Sequence, residues 1–123
     1  MCGYAGKILR VNLSTGKIRK ENLDKEIARK LIGGKGYGGW LLYKELEVGV
    51  DPYSPYNKLF FMTGPLTGTL AFLSNRCTLV TKGPLSGGWL DCQTGGKFGP
   101  ELKYAGYDGL VIEGRSEKPV YLW

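Results

Sequence analysis

The chain contains no histidine, which removes the side chain most often used as a general acid or base near neutral pH and a common metal ligand. Its three cysteines, Cys2, Cys77 and Cys92, form no Cys-x-x-Cys pair. An odd, widely spaced set excludes a disulfide scaffold, a zinc ribbon and a complete four-cysteine iron-sulfur site. No stretch approaches the ~18 continuous apolar residues needed to span a bilayer. The segment Met1 to Arg10 lacks the charged start and apolar core of a secretion signal. The expectation is therefore a cytoplasmic protein with no membrane partner. Lys and Arg are scattered from Lys7 to Lys118 without a run of five, so no nucleic-acid arm or polybasic anchor is expected.

Glycine is abundant. Twenty residues in 123 is about twice the usual share, and without a collagen period it implies tight turns and close backbone approaches. The formal charge of +6 favours an anionic partner such as a phosphorylated cofactor. At this length one small domain with a modest core is expected.

Local pattern gives an α+β reading. Residues Ala5 to Leu13 alternate, with Leu9, Val11 and Leu13 on one face and Ile8, Arg10 and Asn12 on the other. A Ser14-Thr15-Gly16-Lys17 turn then leads into Ile18 to Leu23, which predicts a hairpin. Asp24 is placed to cap a helix over Lys25 to Ile32, with Ile27, Leu31 and Ile32 as its apolar stripe and Gly33-Gly34 as its stop. A second helix is expected from about Gly36 to Leu46, offering Trp40, Leu41, Tyr43 and Leu46 to the core. Strands follow at Lys58 to Thr63 and Arg76 to Thr81. Each runs into nearly the same turn, Gly64-Pro65-Leu66-Thr67-Gly68 and, 19 residues later, Gly83-Pro84-Leu85-Ser86-Gly87. A third helix is predicted over Lys97 to Ala105, and two last strands at Gly109 to Glu113 and Pro119 to Trp123. The final apolar run ends without a polar tail, so the native polypeptide is expected to continue.

Three segments are candidate sites. Gly34-Lys35-Gly36-Tyr37-Gly38-Gly39 matches Gly-x-Gly-x-x-Gly but follows a helix instead of a strand, so it reads as a break that lets two helices pack closely. Gln93-Thr94-Gly95-Gly96 sits before a helix, where free amides and the helix dipole suit a phosphate and Lys97 adds a point charge; the alternative is an ordinary N-cap by Thr94. Arg76 can reach a phosphate or carboxylate with a bidentate guanidinium, or be a solvated strand-edge residue. The acids Asp91, Glu101, Asp108 and Glu113 are not spaced as a catalytic pair, and Cys77 and Cys92 read as buried, inert thiols. No catalytic residue is assigned.

Four stretches in order, Tyr4 to Leu13, Thr63 to Thr69, Thr94 to Asp108 and Lys118 to Tyr121, give the chain its resemblance to the N-terminal domain of tungsten-dependent aldehyde ferredoxin oxidoreductases, over about Gly3 to Trp123. The resemblance implies mixed or antiparallel β-sheets with about three short helices. It also implies a base beneath a tungsten, or in some relatives molybdenum, ion held by two pterin dithiolenes whose phosphates are bridged by magnesium. The full enzymes oxidise aldehydes to carboxylates and pass electrons through a [4Fe-4S] cluster to ferredoxin. By resemblance Arg76 contacts the pterin, Gly95 brings its backbone to it, and Gln93 stands where relatives usually carry Asn, whose carbonyl helps hold the magnesium. Thr94 and Gly96 complete the expected cofactor loop. The cluster and substrate domains lie outside residues 1–123, so this segment is a partial pterin-binding domain, inactive alone. Its expected partner is the remainder of the enzyme or a complementing chain. The rival expectation is a free-standing, non-catalytic domain that pairs with a second copy.

Overall fold

The computed structural model describes residues 2–123. Its elements run β1 (Lys7–Asn12), β2 (Lys17–Asn22), α1 (Lys25–Leu31), α2 (Gly34–Glu45), β3 (Lys58–Thr63), β4 (Cys77–Lys82), β5 (Trp89–Thr94), α3 (Phe98–Tyr104) and β6 (Gly109–Glu113). The strands form one mixed sheet in the order β2-β1-β6-β3-β4-β5, parallel only between β1 and β6. The fold is α+β, as expected. No helix among the described residues is long and apolar enough to cross a membrane.

Asp24 caps α1 as its position predicts, its carboxylate accepting from the amides of Glu26 (3.0 Å) and Ile27 (3.1 Å). The expected apolar stripe is corrected: Ala28 is the buried residue, while Leu31 and Ile32 are exposed. Helix α1 is too short to carry the stripe a full extra turn, because Ile32 leaves the helix at φ 67°. Tyr43 is likewise exposed instead of buried, and Tyr37, Leu41 and Leu42 face the core.

One face of the sheet closes against α2. Ile8, Phe60, Met62, Val80 and Val111 project from it into the core cluster. The glycines of α2 make the approach possible. A Cβ at Gly38 would lie 2.9 Å from Val80 Cγ2, and one at Gly36 would lie 2.7 Å from the Leu31 carbonyl. The Gly-x-Gly-x-x-Gly pattern is therefore a packing device, as its position after a helix implied.

Beneath the C-terminal end of α2 lies an ion cluster. Arg10, only 4% exposed, donates to Glu21 and to both carboxylate oxygens of Glu45, and Lys58 bridges Glu45 (3.0 Å) and Glu113 (3.3 Å). Burial alone would raise the Glu45 carboxyl, but hydrogen bonds from Arg10 and Lys58 outweigh it and hold the group below its ordinary 4.5. At the other end of β6, buried Asp108 accepts from the amides of Ala5 and Gly6 and from Lys103 Nζ, fastening the N-terminal segment to the sheet.

Two expectations are corrected. Strand β5 was not foreseen, because as an edge strand with one pairing partner it needs no continuous apolar run, and Trp-Leu-Asp-Cys-Gln-Thr has none. Residues 119–123 form no strand. They pair with no ladder; Val120 to Trp123 instead line an apolar groove of about 850 Å³ with Leu9, Val11, Phe98 and Leu102 on the sheet's other face.

Two outcomes follow. Arg10→Met leaves Glu45 with Lys58 alone and Glu21 without its cation, and is expected to cost about 2 kcal/mol in urea unfolding, discounted for the partly open Glu21. Because Glu45 has a depressed folded pKa, its contribution is fully present above its unfolded value and is lost as pH falls through the lower folded value. Acid unfolding curves should show that loss in the wild type and a smaller one in Arg10→Met, where Lys58 still bonds Glu45. Separately, Gly36→Ala forces the α1–α2 junction apart and is expected to destabilise the protein by about 1–3 kcal/mol, read from the same urea midpoints.

Candidate cofactor-binding site

Four chain segments meet at one end of the sheet. The β3–β4 and β4–β5 registers pair Cys77 with both Thr63 and Thr94. Arg76 and Gly95, the next residues outward, therefore leave the last rungs of adjacent strands side by side. Helix α3 begins on the same spot. Its Gly99 packs so closely that a Cβ there would meet the carbonyls of Asn75 at 3.2 Å and Arg76 at 3.3 Å.

The first of the two repeated turns holds Arg76 from behind. Thr67 Oγ1 donates to the Arg76 carbonyl (3.1 Å) and accepts from the Gly64 amide (3.1 Å). This is why Thr67 is buried although it sits in a turn. The Arg76 side chain is exposed, and among the described residues no carboxylate pairs with it. It borders a cleft of about 330 Å³ with Ile32, Gly64, Phe72 and Leu73. An exposed, unpaired guanidinium held by a buried backbone anchor suits an anionic ligand.

Gln93 and Thr94 are the last residues of β5, both exposed, and Gly95 and Gly96 form the following turn with Gly96 at φ +76°. The N-cap alternative for Thr94 is corrected. Helix α3 starts at Phe98 after Lys97, without a side-chain cap, and Thr94 Oγ1 instead contacts the Gly95 carbonyl. Strand pairing extends through Thr94, which keeps it out of the helix. The structure thus brings Arg76 together with Gln93 to Gly96, and leaves the loop's polar groups open.

Among the described residues, no group of three acidic, Cys or His side chains is placed to hold a metal ion. A metal at this end would take its ligands from backbone carbonyls or from a bound cofactor. The thiols divide, contrary to the reading of both as buried. Burial pushes Cys77 up to about 11, whereas Cys92 is exposed, because it lies on the edge strand.

Residues 8–123 match the family described as the N-terminal domain of aldehyde ferredoxin oxidoreductase. The chain belongs to that family. Its sequence is 51% identical, over its full length, to a tungsten-containing aldehyde ferredoxin oxidoreductase of Pyrococcus abyssi. It is 39% identical to the WOR-like subunit of an aliphatic sulfonate oxidoreductase of Pyrococcus furiosus. In each case the chain spans 20% of the relative's length. Among solved structures, the active-site complex BamBC of benzoyl coenzyme A reductase superposes with a TM-score of 0.94 at 36% identity, over 98% of this chain and 18% of that one. This aldehyde ferredoxin oxidoreductase N-terminal fold is the one the resemblance implied.

The thiol assignment is checked by alkylation of the native chain at pH 8. Cys92 and Cys2 should react within minutes, and Cys77 only after unfolding in urea, as read by peptide mass spectrometry.

Proposed function

We propose that this chain is the tungstopterin-binding N-terminal portion of an aldehyde ferredoxin oxidoreductase-like enzyme, in which Arg76 and Gln93, Thr94, Gly95 and Gly96 cradle the cofactor. The observation that carries this reading is the juxtaposition of an unpaired Arg76 with the Gly95-Gly96 turn across the last rung of β4 and β5. The donor set fits the group. Arg76 supplies an open cation for a phosphate from an anchored backbone, and the two glycines bring backbone amides close without side chains in the way. Gln93 would offer its carbonyl to magnesium. That contact does not depend on whether Asn or Gln supplies it.

When bound, the tungsten, or molybdenum, bis-pterin supplies the redox chemistry. The role of these residues is to bind and orient it. Aldehyde oxidation to carboxylate, the [4Fe-4S] cluster and transfer to ferredoxin belong, in this proposal, to the part of the enzyme beyond this fifth of the relatives' length. The chain alone is then non-catalytic, and its partner is that remainder.

A second reading is favoured by the sheet's other face. Leu9, Val11 and Leu110 are covered there only by α3 and the terminal segment, and they line the 850 Å³ groove. A second copy could close that groove symmetrically, giving a self-associating domain without catalysis.

Expression with tungstate, followed by metal and pterin analysis and mass in solution, tests both readings. Tungsten and pterin near one equivalent per chain are expected, and Arg76→Ala should lower retained pterin about tenfold, the worth of a charge-assisted contact. The cofactor reading fails if no pterin is held either by the chain alone or when the rest of the enzyme is coexpressed. A dimer without pterin would establish the second reading.

A further inference from the structure

Gly39, the last glycine of the Gly-x-Gly-x-x-Gly pattern, makes room for a side chain from another element. The three atoms nearest a Cβ placed on it all belong to the indole of Trp89, with Cζ3 and Cη2 each at 2.2 Å. Trp89, the first residue of β5, thus fills the place of the side chain that Gly39 lacks. Its ring is half exposed, and its Nε1 donates to Asp91 Oδ1 at 3.0 Å. The other carboxylate oxygen of Asp91 faces Lys35 Nζ at 3.7 Å, four residues and about one helical turn before Gly39.

These contacts matter because of where β5 stands. It is an edge strand that hydrogen-bonds to β4 alone. Cys92 and Thr94, which alternation turns to the face opposite Trp89, are exposed, so packing from that side does not hold the outer half of the strand. Strand residues two apart share a face. Trp89, Asp91 and Gln93 therefore form one row along α2, and the row runs into the candidate cofactor loop. It is fastened at Gly39 by the indole and approaches the helix again where Asp91 faces Lys35, with Gln93 to Gly96 as its extension.

We propose that Trp89 is a positioning residue: its ring, seated on Gly39 and bonded to Asp91, clamps the edge strand to α2 and thereby sets where Gln93 to Gly96 stand relative to Arg76. A tryptophan suits the task, since one side chain both fills the space over a glycine and donates a hydrogen bond. That this placement serves a pterin rests on the cofactor reading; the clamp itself does not. In the opposing picture the ring is surface cover, and the β4 ladder alone places the strand.

The test is native-state NMR of the ¹⁵N-labelled full chain, with pterin analysis of the same variants after expression with tungstate. Trp89→Ala should move the Gly95 and Gly96 amide resonances and lower the order parameters of Gln93 to Gly96 by about 0.2, from the rigid toward the flexible range, with Phe60 and Val111 unchanged. Trp89 stands about 13 Å from Gln93 along an extended strand, so loss of its ring current does not itself move those signals. Gly39→Ala should reproduce the effect by pushing the ring off the helix. In a Trp89→Ala background it should add nothing, because its Cβ then meets no atom of another element closer than 3.5 Å. The clamp is overturned if the loop spectrum stays as in wild type while only the urea midpoint falls, which marks a stability contact, or if the two substitutions act additively on the loop. If the wild type holds pterin, Trp89→Ala should retain about threefold less, the cost of a loosened site; equal retention also overturns the positioning role. A wild type without pterin sinks the cofactor reading instead, and the loop spectra still decide the clamp.

Discussion

The close seating of α2 on the sheet is the constraint from which the rest of the architecture follows. At Gly38 the helix backbone comes within contact of Val80, a distance that only a residue without a side chain permits. Seated there, α2 lies along β4 from Thr78 toward Lys82. Its first turn reaches the end of the sheet where Arg76 and Gly95 emerge, and its last residue, Glu45, lands above Arg10. One packing event thus sets the polar cluster at one end and the candidate ligand site at the other.

The two ends use charge differently. Around Glu45 the charges are paired, Arg10 and Lys58 being compensated by Glu21, Glu45 and Glu113. Such a cluster fixes which residues meet under the helix more than it adds net stability. At the opposite end the cations are left open, with Arg76 unpaired and Lys35 loosely held. That end therefore carries the less compensated positive charge of the two.

The sheet's faces are unequal too. The α2 side is closed by buried residues such as Phe60 and Val111, while the other carries only the seven-residue α3 and the terminal segment. Val120 to Trp123 follow that open face without joining a ladder. Since the chain spans a fifth of its curated relatives' length, the open face is where a further part of such an enzyme, or a second copy, would gain most from docking.

Much was legible where local chemistry decides. The hairpin, the Asp24 cap, the repeated Gly-Pro turns and the strand from Lys58 to Thr63 follow from alternation, capping and turn geometry, which act over a few residues. Local pattern carried the α+β class, and the resemblance carried the family. What escaped was set by partners distant in sequence. Trp89 to Thr94 becomes a strand because β4 offers it an edge, Pro119 to Trp123 forms none and lies instead along the sheet's face beside Leu9 and Val11, and Leu31 and Tyr43 are exposed because α1 and α2 turn other residues inward. The sequence by itself determined the turns, the caps, the glycine supply and the excess positive charge, since these depend on residue type and near neighbours. Only the tertiary structure decided that Arg76 meets Gly95 and that Thr78 lies beneath Gly34, because strand register and helix seating bring together residues that chain separation keeps apart.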